Sequence, residues 1–165
     1  MLVENEFGVL ARVAGLFSGR GYNIESLTVA ETLDPTLSRI TLVTRGDQQV
    51  VQQIVKQLNK LICVVRVTDF AESAHVEREM ALIKVVADAK TRAEVMNIVN
   101  IFRGKIIDAA HSSFIIEVTG DEGKIRAILG LLEPLGLLEV VRTGKVAMHR
   151  GTRLFTATTK EEKAA

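Results

Sequence analysis

The chain has 165 residues, of which 47% are hydrophobic and 25% charged, with a net charge of +1. That is enough apolar material for one core or two small ones, and too much for global disorder. The balanced charge, without a basic stripe, argues against nucleic-acid binding, and 4% aromatics with no Trp leave no stacking platform for RNA.

The chain opens on a very short apolar strand, Met1-Leu2-Val3. A helix follows, with Leu10, Val13, Ala14 and Phe17 recurring on one face, and Gly21 after Arg20 is its stop. Ile24 to Ala30 reads as a strand, with Ile24 and Ser26 on one face and Leu27 and Val29 on the other. Asp34-Pro35 marks a turn, and Arg39 to Thr44 is the returning strand. Asp47 is placed to cap a second helix bearing Val50, Val51, Ile54 and Leu58 on its apolar face. Val64 to Asp69 closes the half. The order βαββαβ is the ferredoxin-like split βαβ unit, with both helices on one face of an antiparallel sheet.

Phe70 to Val76 breaks the pattern and reads as a linker. The order then repeats. Glu79 to Ala87 is a strand, and Thr91 with Glu94 forms a capping box for a helix carrying Val95, Ile98, Val99 and Phe102. Gly104 is its stop, as Gly21 is for the first helix. Lys105 to Ala110 and Ser113 to Thr119 read as a hairpin. Asp121 caps a helix with Ile125, Ile128, Leu129 and Leu132, which Gly136 ends. Leu137 to Thr143 is a strand, and Val146-Ala147-Met148 adds a short one. The fold class is α+β: two ferredoxin-like domains, residues 1–70 and 79–150, joined by a linker at 71–78. The tail, 151–165, is polar and small and is expected to be disordered.

Catalytic chemistry finds little support. His75, His111 and His149 are far apart, lack partners at metal-ligand spacing, and read as surface histidines. Cys63, the single cysteine, sits among apolar residues and reads as a buried, inert thiol, suited to a reducing compartment. No apolar run approaches the roughly 20 residues that span a bilayer. No phosphate-binding, serine-hydrolase or metalloprotease motif occurs.

One loop stands apart, Glu4 to Arg12. Gly8 frees the backbone to turn, and the helix begins near Val9 or Leu10. The first N–H groups of that helix lack intrahelical partners, and its dipole adds partial positive charge, which suits a small carboxylate. Asn5 can donate or accept beside it, and Asn23 could accept from an ammonium group. A capped helix with two ordinary turn asparagines is the competing reading.

E-N-E-F-G-V-L-A-R-V-A-G-L-F (Glu4–Phe17), R-G-Y-N-I-E-S-L-T-V-A (Arg20–Ala30) and D-P-T-L-S-R-I-T (Asp34–Thr41) resemble the small regulatory subunits of acetohydroxyacid (acetolactate) synthase. So do V-E-R-E-M-A-L-I-K-V (Val76–Val85), F-R-G-K-I-I-D (Phe102–Asp108) and V-R-T-G-K-V-A-M (Val141–Met148). The resemblance runs from Leu2 to about Arg150. It implies that the first half is an ACT domain, which pairs with a second copy and holds valine, or else leucine or isoleucine, at the interface. The effector positions carried over by the motif are Asn5, Gly8, Val9, Leu10, Asn23 and Ile24. The second half lacks a counterpart of E-N-x-x-G, so no effector is expected there. The implied partner is the catalytic large subunit, which uses thiamine diphosphate, magnesium and FAD; none of these is expected on this chain. The implied setting is a bacterial cytoplasm, or a plastid. The main alternative is a stand-alone ACT-type amino-acid sensor acting on another protein or on transcription. Family members carry residues ahead of the position of Leu2, so the first strand is expected to be cut short and to weaken the Asn5 loop.

Overall fold

The computed structural model describes residues 1–71 and 73–157. It divides into two compact units: residues 1–76 together with the segment from Lys145 onward, and Glu77–Gly144.

In the first unit β1 (Leu2–Glu4), α1 (Val9–Ser18), β2 (Ser26–Glu31), β3 (Leu37–Val43), α2 (Gln48–Leu58) and β4 (Val64–Arg66) form an antiparallel sheet in the order β2-β3-β1-β4, with two helices. Although only three residues long, β1 is central. Leu2 lies opposite Arg39 on one side and Arg66 on the other. Its ladder is continued by Ile40 N–H donating to Met1 O at 2.9 Å and Glu4 N–H to Cys63 O at 2.9 Å. The expected weakness of this strand is not evident in its pairing. Val3, Ile40 and Val64 meet Val13, Phe17, Ile54, Leu58 and the buried Cys63 in one core. The buried face of α1 is Val9, Val13, Leu16 and Phe17, rotated from the expected stripe, and Leu10 is 43% exposed.

Local chemistry sets the helix ends. Asp47 accepts from Val50 N–H at 2.8 Å and caps α2 as expected. At the end of α1, Gly21 N–H donates to Ser18 O and Tyr22 N–H to Phe17 O, with Gly21 left-handed at φ 69°. That is a Schellman closure, and glycine meets its backbone demand without strain.

The second unit contains β5 (His75–Val86, which starts in the first unit), α3 (Arg92–Ile101), β6 (Lys105–Ala109), β7 (Ser113–Gly120), α4 (Glu122–Leu132), a 3₁₀ turn (Glu133–Leu135) and β8 (Leu137–Arg142). Its sheet order, β6-β7-β5-β8, repeats that of the first unit, so the pseudo-repeat seen in the sequence is a repeat of topology. Ile83, Val85, Val95, Ile116, Ile125, Ile128 and Leu132 form its core.

Two expected signals work differently. Thr91 makes no side-chain cap. Asp88 takes that role a turn earlier, accepting from Lys90 N–H and Thr91 N–H at 2.9 and 3.0 Å. Those bonds, the Thr91 one foremost, hold its carboxyl below the usual carboxylate range. After α3, Arg103 rather than Gly104 is left-handed, at φ 50°. Gly104 serves close packing instead, because a Cβ there would lie 3.2 Å from Glu117 O.

The linker and tail also differ from expectation. β5 begins inside the span read as linker. Residues 145–150, read as the end of the second domain, group with the first unit, and β9 (Val146–His149) is the short strand anticipated there. Residues 151–157 are placed rather than disordered, and the remainder of the tail lies outside the described residues. The Arg39 guanidinium donates to Ala147 O at 2.7 Å, and Arg39 and Arg66 both lie over the Phe155 ring. Because Arg39, Leu2 and Arg66 share a face of the sheet, this segment covers the side away from the core. His149 is buried, with its ring 4.7 Å from Phe70, so it is not the surface histidine read from the sequence.

Two stability predictions follow from these groups. Glu79 is buried and held by both Arg142 Nε and Nη2. Arg142→Met should cost about 3 kcal/mol in denaturant unfolding, because it strands a buried charge, and Glu79→Gln in the Arg142→Met background should recover much of that. His149 has its pKa lowered, first by burial and then by Arg153, Arg39, Arg66 and His75. A histidine with a depressed folded pKa favours the fold above its unfolded value of about 6.5 and opposes it as the pH falls. The melting temperature should therefore fall from pH 7 to pH 5, and His149→Phe should flatten that slope.

Candidate functional site

The β1–α1 connection is built by its neighbours. Asn5 N–H donates to Thr36 O at 2.7 Å, one step past the β1–β3 ladder. The Asn5 side chain bonds three groups of the β2–β3 hairpin. Nδ2 donates to Glu31 Oε1 at 3.1 Å and to Pro35 O at 2.9 Å, and Oδ1 accepts from Ser38 Oγ at 3.0 Å. The hairpin tip is itself fixed: Asp34 accepts from Thr36 Oγ1 at 2.6 Å and Thr36 N–H at 2.9 Å, which hold its carboxyl below the usual range. Both Nδ2 protons of Asn5 are thus engaged. What it still offers is the second lone pair of Oδ1, an acceptor suited to an ammonium group.

Gly8 then turns the chain into α1 at φ 83°. Its carbonyl accepts the first helical bond, from Arg12 N–H at 3.0 Å. No side chain caps this helix, and no acidic residue sits in its first turn. Val9 N–H reaches only Glu6 O, at 3.4 Å. The contrast with α2 and α4, each closed by an aspartate, is clear. An uncapped first turn with the positive end of the dipole exposed is chemically an anion acceptor. The Val9 side chain is buried and Leu10 faces outward.

The structure does not bring all six singled-out residues together. Asn5, Gly8, Val9 and Leu10 lie at the start of α1. Asn23 and Ile24 follow its end, where Asn23 O accepts from Thr44 Oγ1 at 2.7 Å. Ten residues of helix lie between, about 15 Å at 1.5 Å per residue. One amino acid cannot touch both groups within one chain. Glu31, Pro35, Thr36 and Ser38, which fix Asn5, were not singled out from the sequence. The D-P-T turn carries the signal for the hairpin, but its register against Asn5 is a tertiary fact.

Among the described residues no three His, Cys, Asp or Glu side chains gather as a metal site, and no helix is long and apolar enough to cross a membrane.

A ferredoxin-like unit with a glycine turn into an open helix start is the architecture of an ACT domain, and a family model described as an AHAS small subunit-like ACT domain matches residues 1–66. A second, described as the small subunit of acetolactate synthase, matches residues 78–151. The chain is 55% identical over 153 residues to the probable acetolactate synthase small subunit of Archaeoglobus fulgidus, covering 93% of this chain and 96% of that one. It is 50% identical over 156 residues to the acetolactate synthase isozyme 3 small subunit of Escherichia coli, covering 94% and 96%. The crystal structure of the acetolactate synthase small subunit from Thermotoga maritima superposes with a TM-score of 0.83 at 47% identity, covering 93% of this chain and 96% of that one. The chain belongs to the family of acetolactate synthase small subunits.

Gly8→Ala tests the turn. The added Cβ meets nothing within 4 Å, so only backbone strain acts. Unfolding should show a loss of about 1–2 kcal/mol with the fold retained in circular dichroism.

Proposed function

We propose that the chain is the non-catalytic regulatory subunit of an acetolactate synthase, that it binds valine or a related branched-chain amino acid, and that two copies build each binding site. The observation that carries the reading is the separation of the Gly8 turn from Asn23 by the length of α1. Family membership supplies the catalytic partner, and the open helix start supplies the chemistry for an amino acid's carboxylate.

In this reading the carboxylate sits at the N–H groups of Gly8, Val9 and Leu10, displacing the long Val9–Glu6 bond. Asn5 Oδ1 of one chain and Asn23 of the other accept from the ammonium group. The aliphatic side chain lies against Leu10 and Ile24, whose apolar side chains favour valine, leucine or isoleucine over polar amino acids. The second copy approaches along β2, an edge strand of the sheet. A ligand held by two chains favours one quaternary arrangement, and that difference in affinity is what shifts the catalytic subunit between active and inhibited states. Thiamine diphosphate, magnesium and FAD belong to the catalytic subunit in its bacterial cytoplasm or plastid. This chain's residues bind the effector and change the partner's activity.

Thermal unfolding checks the site. Valine at 100 times its dissociation constant should stabilise by about 2.7 kcal/mol. Asn23→Ala, at an exposed position, should melt like the parent without ligand and lose the shift. No shift with valine, leucine or isoleucine, with the catalytic subunit also present, would rule out the effector reading.

A further inference from the structure

The chain from Val146 to Thr156 lies on the outer face of the first sheet and is held there at both ends. The Arg39 guanidinium of β3 donates to Ala147 O at 2.7 Å, and Arg66 Nη1 of β4 donates to Thr156 O at 3.2 Å. Arg150 N–H donates to Ala74 O and Arg150 Nε to His75 O, each at 3.1 Å, where β5 begins. The Phe155 ring centre lies 5.2 Å from the guanidinium carbon of Arg39 and 5.3 Å from that of Arg66. Leu2 stands between those two arginines in the sheet and is only 2% exposed.

One titratable ring sits in the middle of this segment. His149 is 8% exposed. Its ring centre is 4.7 Å from that of Phe70 and 6.4 Å from that of Phe155. Its Nδ1 stands 3.5 Å from Ser73 Oγ, at the outer limit of a hydrogen bond. The charged and titratable groups acting on it are Arg153 of the segment itself, Arg39 of β3, Arg66 of β4 and His75 of β5. Each of these is a cation or becomes one on protonation. A neutral imidazole packs between the two aromatic rings without electrostatic cost. An imidazolium in the same place loses hydration and meets three guanidiniums. A terminal segment laid on one face of a sheet can also open without unfolding the sheet beneath it.

We infer that residues 146–156 form a detachable strap over the outer face of the ACT domain, latched by neutral His149, and that protonation of this ring releases the strap while the core of each unit stays folded. The sign follows from burial, which makes the seated ring harder to protonate than a free one. Closure is therefore at full strength above the ordinary histidine value of about 6.5. Below it, opening becomes up to about tenfold more favourable per pH unit, until the seated ring itself takes the proton. Release uncovers Leu2, the first residue of the strand that leads to Asn5. The strap thus acts on the sheet that positions the Gly8 turn, whatever that turn binds.

Hydrogen exchange of the full chain, read by mass spectrometry at pH 7.5 and pH 5.5 and corrected for the intrinsic rates, tests the latch. Parent, His149→Phe, His149→Gln, Phe155→Ala and a neighbouring control, His75→Gln, are compared. In the parent, peptides covering residues 146–155 should exchange at least threefold faster at pH 5.5, with those of α2 and α4 unchanged. Both His149 variants should lose that pH response, and His75→Gln should keep it. Phe155→Ala should leave the strap peptides open at both pH values. A parent whose strap peptides exchange equally at the two pH values overturns the inference, whatever the variants do. Strap peptides without protection at pH 7.5 overturn the closed strap itself. Acceleration shared by α2 and α4 makes the effect one of global stability, and overturns a local latch. A pH response that survives in both His149 variants, or vanishes in His75→Gln, overturns the assignment to His149.

Discussion

Three residues, Leu2–Glu4, occupy the centre of the first sheet, and their backbone bonds to β3 and β4 fix where the Gly8 turn can stand. The ladder does not stop at the strand's end. Glu4 continues it to Cys63 and Asn5 to Thr36, so the loop is held on both sides as it leaves the sheet. Asn5 then adds three side-chain bonds to the hairpin. Only after these constraints does Gly8 turn into α1, and only a residue at ease with a positive φ can make that turn without strain. The open first turn of α1 is therefore a positioned feature rather than a frayed end.

The second constraint is length. Helix α1 puts the two polar ends of the proposed site about 15 Å apart within one chain. In the proposed reading, that distance makes the binding site a two-chain device. A ligand a few ångströms across can satisfy both ends only if a second chain supplies one of them, so binding and association become linked quantities. The C-terminal segment, with Phe155 under Arg39 and Arg66, covers the other face of the same sheet. β2 and β4 are the two edges of this sheet, and the proposed second copy approaches along β2.

Much of this was legible in the sequence, for physical reasons. Asp47 and Asp121 stand just ahead of apolar periods, and both cap helices. Glycine at position 8 was readable because a turn there needs it, and the same logic located Gly21. Local signals failed where a tertiary or neighbouring group competed. Thr91 fitted a capping box, but its hydroxyl donates to Asp88 Oδ1 and Val86 O instead of turning to the first amides of the helix. Gly104 was the plausible helix stop, yet Glu117 O needs the space beside it, and Arg103 takes the strained conformation. Leu10 fitted the apolar period but faces outward, because Val9 and Leu16 fill the core. His149 lies in a stretch with no period at all, so its burial against Phe70 and Phe155 was not readable. The six candidate positions came from resemblance and helix-end chemistry. Their division between two ends of one helix needed coordinates.

A mixed-chain binding experiment tests the shared site most directly. Gly8→Asp chains, whose carboxylate repels the ligand's, and Asn23→Ala chains should each fail to bind valine in calorimetry as pure samples. Co-expressed and purified as the mixed dimer, they should bind one valine per dimer, because one interface then combines an intact Gly8 turn with an intact Asn23. A mixed dimer that binds no valine, while the parent binds, would contradict a site built from two chains.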